Sequence, residues 1–280
     1  MNIRISADST CDLSPELIER YGIAITPLTI IKDGKPYVDG VEITPDDIYQ
    51  YVNETGKLCN TAAVSTGEYI DFFTSQLESA DAVIHFTISS DMSACFQNAQ
   101  LAAADIPGVY PVDARNLSTG IGQLALDAAV LADKGLDAEE IVSILNDKKE
   151  KLDVSFLIDT LTYLWKGGRC SGVAALGANL LGLKPCIEVK NGEMGVGKKY
   201  RGNLKKCLVQ YVHDRLEGRD DIDTTRIFIT DSGVSEEIRQ AVHEAVAECQ
   251  PFEEICHTRA GSTISNHCGP NTLGILYYHK

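Results

Sequence analysis

The sequence predicts an α/β protein of two domains, and three observations carry that expectation. The first half runs through successive units of apolar strand, polar loop and capped helix start, which is how α/β architectures read. Beyond Pro185 the pattern changes to strand, turn, strand, which suits a mixed sheet with helices on one side. The length of 280 residues exceeds what one core usually fills. A boundary near Ser155 is therefore expected, giving domains 1–155 and 156–280.

The chain opens with alternating Ile3 and Ile5, a short strand ending in Ala7-Asp8-Ser9-Thr10. Ser14-Pro15-Glu16-Leu17 then reads as cap, first turn and helix. Asp8, Ser9 and Asp12 either satisfy loop and helix-end backbone groups or belong to a site. Ile23 to Ile31 reads as a second strand, followed by the turn Lys32-Asp33-Gly34-Lys35. Thr44-Pro45-Asp46-Asp47 starts the next helix, and Thr66-Gly67-Glu68 precedes an amphipathic helix to about Ser79. Ala82 to Thr87 is a β-rich apolar run that stops in the polar cluster Ser89-Ser90-Asp91-Met92-Ser93, before a helix from about Ala94 to Ala104. A strand end feeding a helix start is where α/β sheets place ligands. Val109 to Val112 is another strand, Ser118-Thr119-Gly120-Ile121-Gly122 opens a long helix, Asp137 to Lys151 is amphipathic, and Val154 to Ile158 returns to strand.

Leu161 to Pro185 joins a rigid apolar segment to a cation through Gly167-Gly168. Ser171 is a natural N-cap for the run Gly172 to Leu181, whose only polar residue is Asn179, so that helix is expected to be buried. Two readings stand: a core helix with Arg169 at the surface near its cap, or an anion site at the mouth of an apolar cavity. Beyond it, Asn191-Gly192 between Cys186–Lys190 and Met194–Tyr200 marks a hairpin. A helix over Leu204–Leu216, the strand Ile227–Thr230, the helix Glu236–Ala247 and the strand Phe252–Thr258 follow.

Composition narrows the function classes. Hydrophobic content of 44% and charged content of 23% are ordinary for a globular protein, and a net charge of -15 argues against a nucleic-acid partner. The start, MNIRISADS, lacks an apolar signal segment, and the apolar run after Arg169 is too short to span a membrane. Nine cysteines, none in C-x-x-C spacing, read as reduced, mostly buried thiols of a cytoplasmic protein without a metal site. No G-x-G-x-x-G follows the first strand, and Gly120-x-Gly122 alone is a weak nucleotide signal, so no cofactor is expected.

Several stretches together resemble the DegV family of bacterial fatty-acid-binding proteins. Leu164, Gly167, Gly168, Arg169, Ser171, Lys184 and Pro185 match its L-x-x-G-G-R-x-S and K-P pattern, and Asp8 to Leu13 matches its opening D-S-x-x-D-L. Asn60 to Ser65 keeps the Thr61 and Ser65 of the family's T-S-Q-P-S and replaces the three residues between. Ile88, Ser89, Ser90 and Ser93 match I-S-S-x-x-S, with divergence at Ala94-Cys95-Phe96. Asp113, Ser118, Gly120 and Gly122 match a further stretch. Gly261, Ile264, His267, Gly269, Pro270 and Gly274 match G-x-x-I-x-x-H-x-G-P-G-x-x-G, with Asn271 where glycine is usual.

The resemblance implies an α/β/α first domain with a parallel sheet, a second domain with a mixed sheet and helices, and a long-chain fatty acid held between them. It implies a head-group site of Thr61, Ser93 and His267 with Ser65, Ser89 and Arg169 beside it, and a tail in an apolar tunnel. It also implies a non-catalytic carrier that presents its ligand to a separate fatty acid kinase, with Arg169 and Arg201 docking the kinase or steadying an acyl phosphate, and transient membrane contact at most. Other classes stay open at this point: a hydrolase using Ser93 and His267 with Asp8 or Asp113, a polyol-kinase substrate subunit, and a lipid transport module with no kinase partner.

Overall fold

A computed structural model describes residues 1–170 and 182–280. The expected N-cap Ser171 and the run Gly172 to Leu181 lie outside the described residues.

Strands β1 (Ile3–Asp8) and β2 (Ala24–Thr26) pair in parallel, and the four-stranded sheet continues with β6 (Ala82–Thr87) and β7 (Val109–Asp113) in the order β2-β1-β6-β7. Every residue of β6 is buried, as a central parallel strand covered on both faces requires. The apolar run Ile23 to Ile31 is not one strand. Pro27 lacks a backbone donor, and the chain breaks there into β2 and β3 (Thr29–Lys32). The second piece joins β4 (Lys35–Val38) and β5 (Asn60–Ala62) in a small antiparallel sheet, order β4-β3-β5. That sheet packs on helix α2 (Pro45–Thr55) through Ile30, Ile43, Ile48 and Cys59.

The helices start where the caps predict. Ser14 accepts from Leu17 N at the head of α1 (Pro15–Tyr21), and Thr44 with Asp47 forms a capping box on α2. Ser65 with Glu68 does the same on α3 (Thr66–Leu77). The helix expected over Asp137–Lys151 ends earlier, as α6 (Ala138–Lys148) followed by a single 3-10 turn, Lys149–Lys151.

A second, six-stranded sheet has the order β10-β9-β8-β13-β11-β12, from β8 (Leu152–Leu157), β9 (Leu183–Lys190), β10 (Glu193–Arg201), β11 (Ile222–Asp231), β12 (Glu254–Arg259) and β13 (Leu273–His279). It is mixed: β11 and β12 run parallel and the other pairs antiparallel. One face is covered by α8 (Leu204–Leu216) and α9 (Glu236–Cys249), where Leu208, Tyr211 and Val246 meet Ile227, Ile229 and Tyr277.

The other face turns toward the parallel sheet, and α5 (Thr119–Asp133) lies between the two. Its first eight residues are buried, and Gln123 Nε2 donates to the Leu276 carbonyl of β13 at 3.1 Å. A Cβ on Gly122 would lie 2.7 Å from Leu13 Cδ2. The glycines of this G-x-G stretch therefore serve close helix packing. Among the described residues no helix is long and apolar enough to cross a membrane.

Candidate functional site

A cavity of about 270 Å³ opens where the carboxyl ends of β6 and β7 face the inner side of the six-stranded sheet. Ile88, Met92 and Ser93 after β6, and Leu117 and Ser118 after β7, form one side. Val154 and Phe156 of β8, Met194 of β10 and Leu276 of β13 form the other. The rim is completed by Thr61 and Ala62 of β5, by Leu164 of α7 (Thr162–Gly167) with Arg169 just after it, and by Thr263, Ile264 and His267 of α10 (Ser262–Cys268).

Several walls look polar by residue type, yet their hydroxyls are engaged within the protein. Ser118 Oγ donates to Asp12 Oδ2 at 2.5 Å, Thr263 Oγ1 to Asp39 Oδ2 at 2.7 Å, and Ser232 Oγ to the Gly269 carbonyl at 2.5 Å. Thr272 Oγ1 donates to the Cys268 carbonyl at 3.0 Å, and Ser155 Oγ pairs with Tyr211 OH at 2.8 Å. The surface these residues offer a ligand is thus largely methyl and methylene.

Helix α10 owes its position to two buried carboxylates from the first half of the chain. Asp12 Oδ1 accepts from Gly261 N at 2.8 Å, and Asp39 accepts from Ser262 N at 3.0 Å and Thr263 N at 3.3 Å. Their carboxyl oxygens satisfy the orphan backbone donors at the start of the helix. Burial pushes the Asp12 carboxyl up to about 8, against the lowering effect of its bonds from Ser118 and Gly261.

At the other end of α10, His267 Nε2 lies 3.0 Å from Thr61 Oγ1. Its Nδ1 is shut off from solvent and has no hydrogen-bond partner among the described residues. Gly167 closes against that atom, since a Cβ there would sit 2.6 Å from it. Burial holds the imidazole down to about 4, with the Arg169 charge adding to the effect, so the ring is neutral at pH 7. A buried N–H without an acceptor is rarer than an acceptor without a donor. The Nε2–H tautomer is therefore favoured, donating to Thr61 Oγ1 and leaving the Thr61 proton outside that bond.

The structure brings Thr61, Ser93, Arg169 and His267 to one cavity and places the other candidates elsewhere. Ser93 Oγ accepts from Cys95 N at 3.3 Å at the start of α4 (Cys95–Ala103). Arg169 is exposed and donates to the Gly167 carbonyl at 2.7 Å. Ser65 is exposed and caps α3, while Ser89 is buried with its hydroxyl donating to the Gly192 carbonyl at 2.7 Å. Arg201 ends β10 and is exposed. Sequence reasoning did not find Asp39, Thr263 and the contact of Gly167 with His267; the acidic-Gly pair Asp39-Gly40 was the available signal for the first.

For a nucleophile, base and orienter, a carboxylate would have to reach His267. Asp8 instead accepts from Tyr69 OH at 2.6 Å and Ile88 N at 3.2 Å and pairs with His85 Nε2 at 3.2 Å. Asp113 accepts from Ser90 N at 3.3 Å and Arg115 N at 2.8 Å. Neither orients the imidazole.

The family model described as "Uncharacterised protein, DegV family" matches residues 2–280. A DegV domain-containing protein of Caldanaerobacter subterraneus subsp. tengcongensis is 32% identical over 283 residues, covering 99% of each chain. Among solved structures, one reported as "Fatty Acid Binding of a DegV family Protein from Thermus thermophilus" is 33% identical, with a TM-score of 0.90 and 100% of both chains covered. A stearic acid-binding protein from Eubacterium ventriosum is 27% identical, with a TM-score of 0.86, covering 99% of this chain and 98% of the other. Alike along its whole length to the family model and to these relatives, the chain belongs to the DegV family.

Proposed function

We propose that this protein binds a long-chain fatty acid in the cavity between its parallel sheet and its six-stranded sheet and presents its carboxyl group to a separate fatty acid kinase. The observation that carries this reading is a cavity of about 270 Å³ whose deep hydroxyls are turned into the protein, while Thr61, Ser93 and His267 stand together at its rim. Each buried methylene contributes about 0.8 kcal/mol. A long tail thus supplies most of the affinity, and the head needs orientation more than charge neutralisation. The fatty acid binding of the Thermus thermophilus relative and the stearic acid of the Eubacterium ventriosum protein support the same ligand class.

Kinase presentation draws support from the charge distribution. Residues 160–206 hold nine lysines and arginines, including Arg169 and Arg201, against Glu188 and Glu193, a net charge of +7 in a chain of -15. The remainder therefore carries -22, and the basic stretch includes Leu164 and Arg169 of the cavity lining, with Trp165 beside Leu164 in sequence and 63% exposed. Lys184, Lys198 and Lys205 pair with Asp159, Asp214 and Glu237 outside the stretch, while the exposed Arg169 and Arg201 suit an acidic docking face on a partner, or brief contact with anionic lipid.

The test is to extract natively purified protein with organic solvent, identify released lipid by mass spectrometry, and then follow phosphorylation of the bound fatty acid by a fatty acid kinase with ATP. One fatty acid per chain, and phosphorylation that Arg169→Ala and Arg201→Ala abolish, is the expected result. A loaded protein that no such kinase accepts would leave a lipid transport module. A lipid-free extract without uptake of added fatty acid would sink the reading.

A further inference from the structure

Asn191-Gly192 joins β9 to β10, and both residues hold left-handed φ, 52° and 84°, as a two-residue hairpin with a type I′ turn requires. The tip does not end in solvent. Ser89 Oγ donates to the Gly192 carbonyl at 2.7 Å, and the Arg115 guanidinium donates to the Asn191 carbonyl while pairing with Asp91 at 2.7 Å. The fit is tight: a Cβ on Gly192 would lie 2.8 Å from both Ser89 Oγ and Asp91 Oδ2. Arg115 itself sits at φ 51°, a conformation that a residue other than glycine keeps only where its surroundings hold it. Ser89, Asp91 and Arg115 follow strands of the parallel sheet, whereas the tip belongs to the six-stranded one, so the contact bridges the two.

Sequence neighbours of both partners in this contact wall the cavity. Ser89 and Asp91 share a loop with Ile88, Met92 and Ser93, and Met194 lies two residues beyond Gly192. Strand β10 is the edge of its sheet, with a register shift between Val196 and Lys199 and glycines at 195 and 197. An edge strand interrupted in this way is weakened at the interruption, so the segment from Glu193 to Val196 depends on its fixed end for how readily it moves.

We propose that the grip of Ser89, Asp91 and Arg115 on Asn191-Gly192 is a latch: while closed it holds the Met194 wall against the ligand, and its opening sets the rate at which the cavity exchanges its fatty acid. The inference rests on the fatty-acid reading and adds a control element to that site.

Release of cis-parinaric acid, displaced by excess oleate, is followed by stopped-flow fluorescence in the wild type, Arg115→Ala and Ser89→Ala, with hydrogen exchange of the 183–201 amides read on the same samples. Losing a hydrogen bond to a charged group corresponds to about a tenfold faster release for Arg115→Ala. Ser89→Ala is expected to move the same way, and both with faster exchange at the hairpin. Arg219→Ala, which removes an ion pair to Asp221, is expected to release at the wild-type rate. Equal release rates in wild type, Arg115→Ala and Ser89→Ala overturn the latch and leave the fatty-acid reading standing, as does faster release without faster hairpin exchange. A wild type that takes up no fatty acid overturns both.

Discussion

Replacing His267 with glutamine should flatten the acid side of the stability profile. Burial, helped by the nearby Arg169 charge, holds this imidazole at about 4 against its ordinary 6.5. As pH falls, the unfolded chain takes up a proton near pH 6.5 that the folded chain refuses until about pH 4. Stability is therefore lost through that window and is fully present above it. The gap corresponds to about 2.5 kcal/mol lost at pH 4.5 relative to pH 7.5. Glutamine keeps a donor for Thr61 Oγ1, so the local bond can persist while the titration disappears. Urea unfolding of delipidated protein at the two pH values gives the comparison, because every other titrating group contributes equally to both proteins. The wild type should lose about 2.5 kcal/mol more than His267→Gln. An equal loss would refute a neutral, enclosed imidazole in the folded state, and with it the argument for the Thr61 proton.

Two further outcomes follow from the same geometry. Gly167→Ala places a Cβ where 2.6 Å separates it from His267 Nδ1, so the ring must rotate away from Thr61. Isothermal titration should then show fatty-acid affinity down by about tenfold, the worth of one hydrogen bond to a charged head, and an unchanged affinity would remove His267 from the head-group site. Asp12 works in the opposite pH direction: burial raises its carboxyl from 3.8 to about 8, so the folded chain keeps a proton that the unfolded chain loses, and stability falls as pH climbs toward 8. Thermal unfolding between pH 6 and 9 should show a decline in the wild type that Asp12→Asn lacks, asparagine being tolerant of the left-handed φ of 50° at this position.

Much of the fold was legible because its punctuation is local. Ser14-Pro15, Thr44 with Asp47 and Ser65 with Glu68 each carry their own cap, and Ala82 to Thr87 has the unbroken apolar content of a strand covered on both faces. Elements whose partners are distant did not announce themselves. Pro27 divides an apolar run between two sheets, a fact visible only once β3 is seen paired with β4 and β5. Helix α10 contains serine, threonine and asparagine and has no cap of its own, because Asp12 and Asp39 supply one from more than 200 residues away. The site divides the same way. Thr61, Ser93, Arg169 and His267 could be picked out from the resemblance, but nothing in the sequence shows that the Ser89 hydroxyl meets Gly192, 103 residues on.

The electrostatics of the site also bear on what kind of binder it can be. A buried carboxylate held by a buried cation gains from Coulomb attraction but must recover a large desolvation cost, and the result is a fixed pair. Here the acidic side chains nearest the cavity, Asp12 and Asp39, belong to the N-terminal end of α10, where they are engaged with backbone donors and are not offered to a ligand. His267 is neutral, and Arg169, the cation at the rim, is exposed to solvent, where its attraction is screened. An acyl head seated among such groups keeps most of its own charge on its oxygens. In a transporter that would be a missed opportunity for affinity. For a carrier whose ligand must attack a phosphoryl group from within the complex, an oxygen held in place but not neutralised is the form that remains nucleophilic.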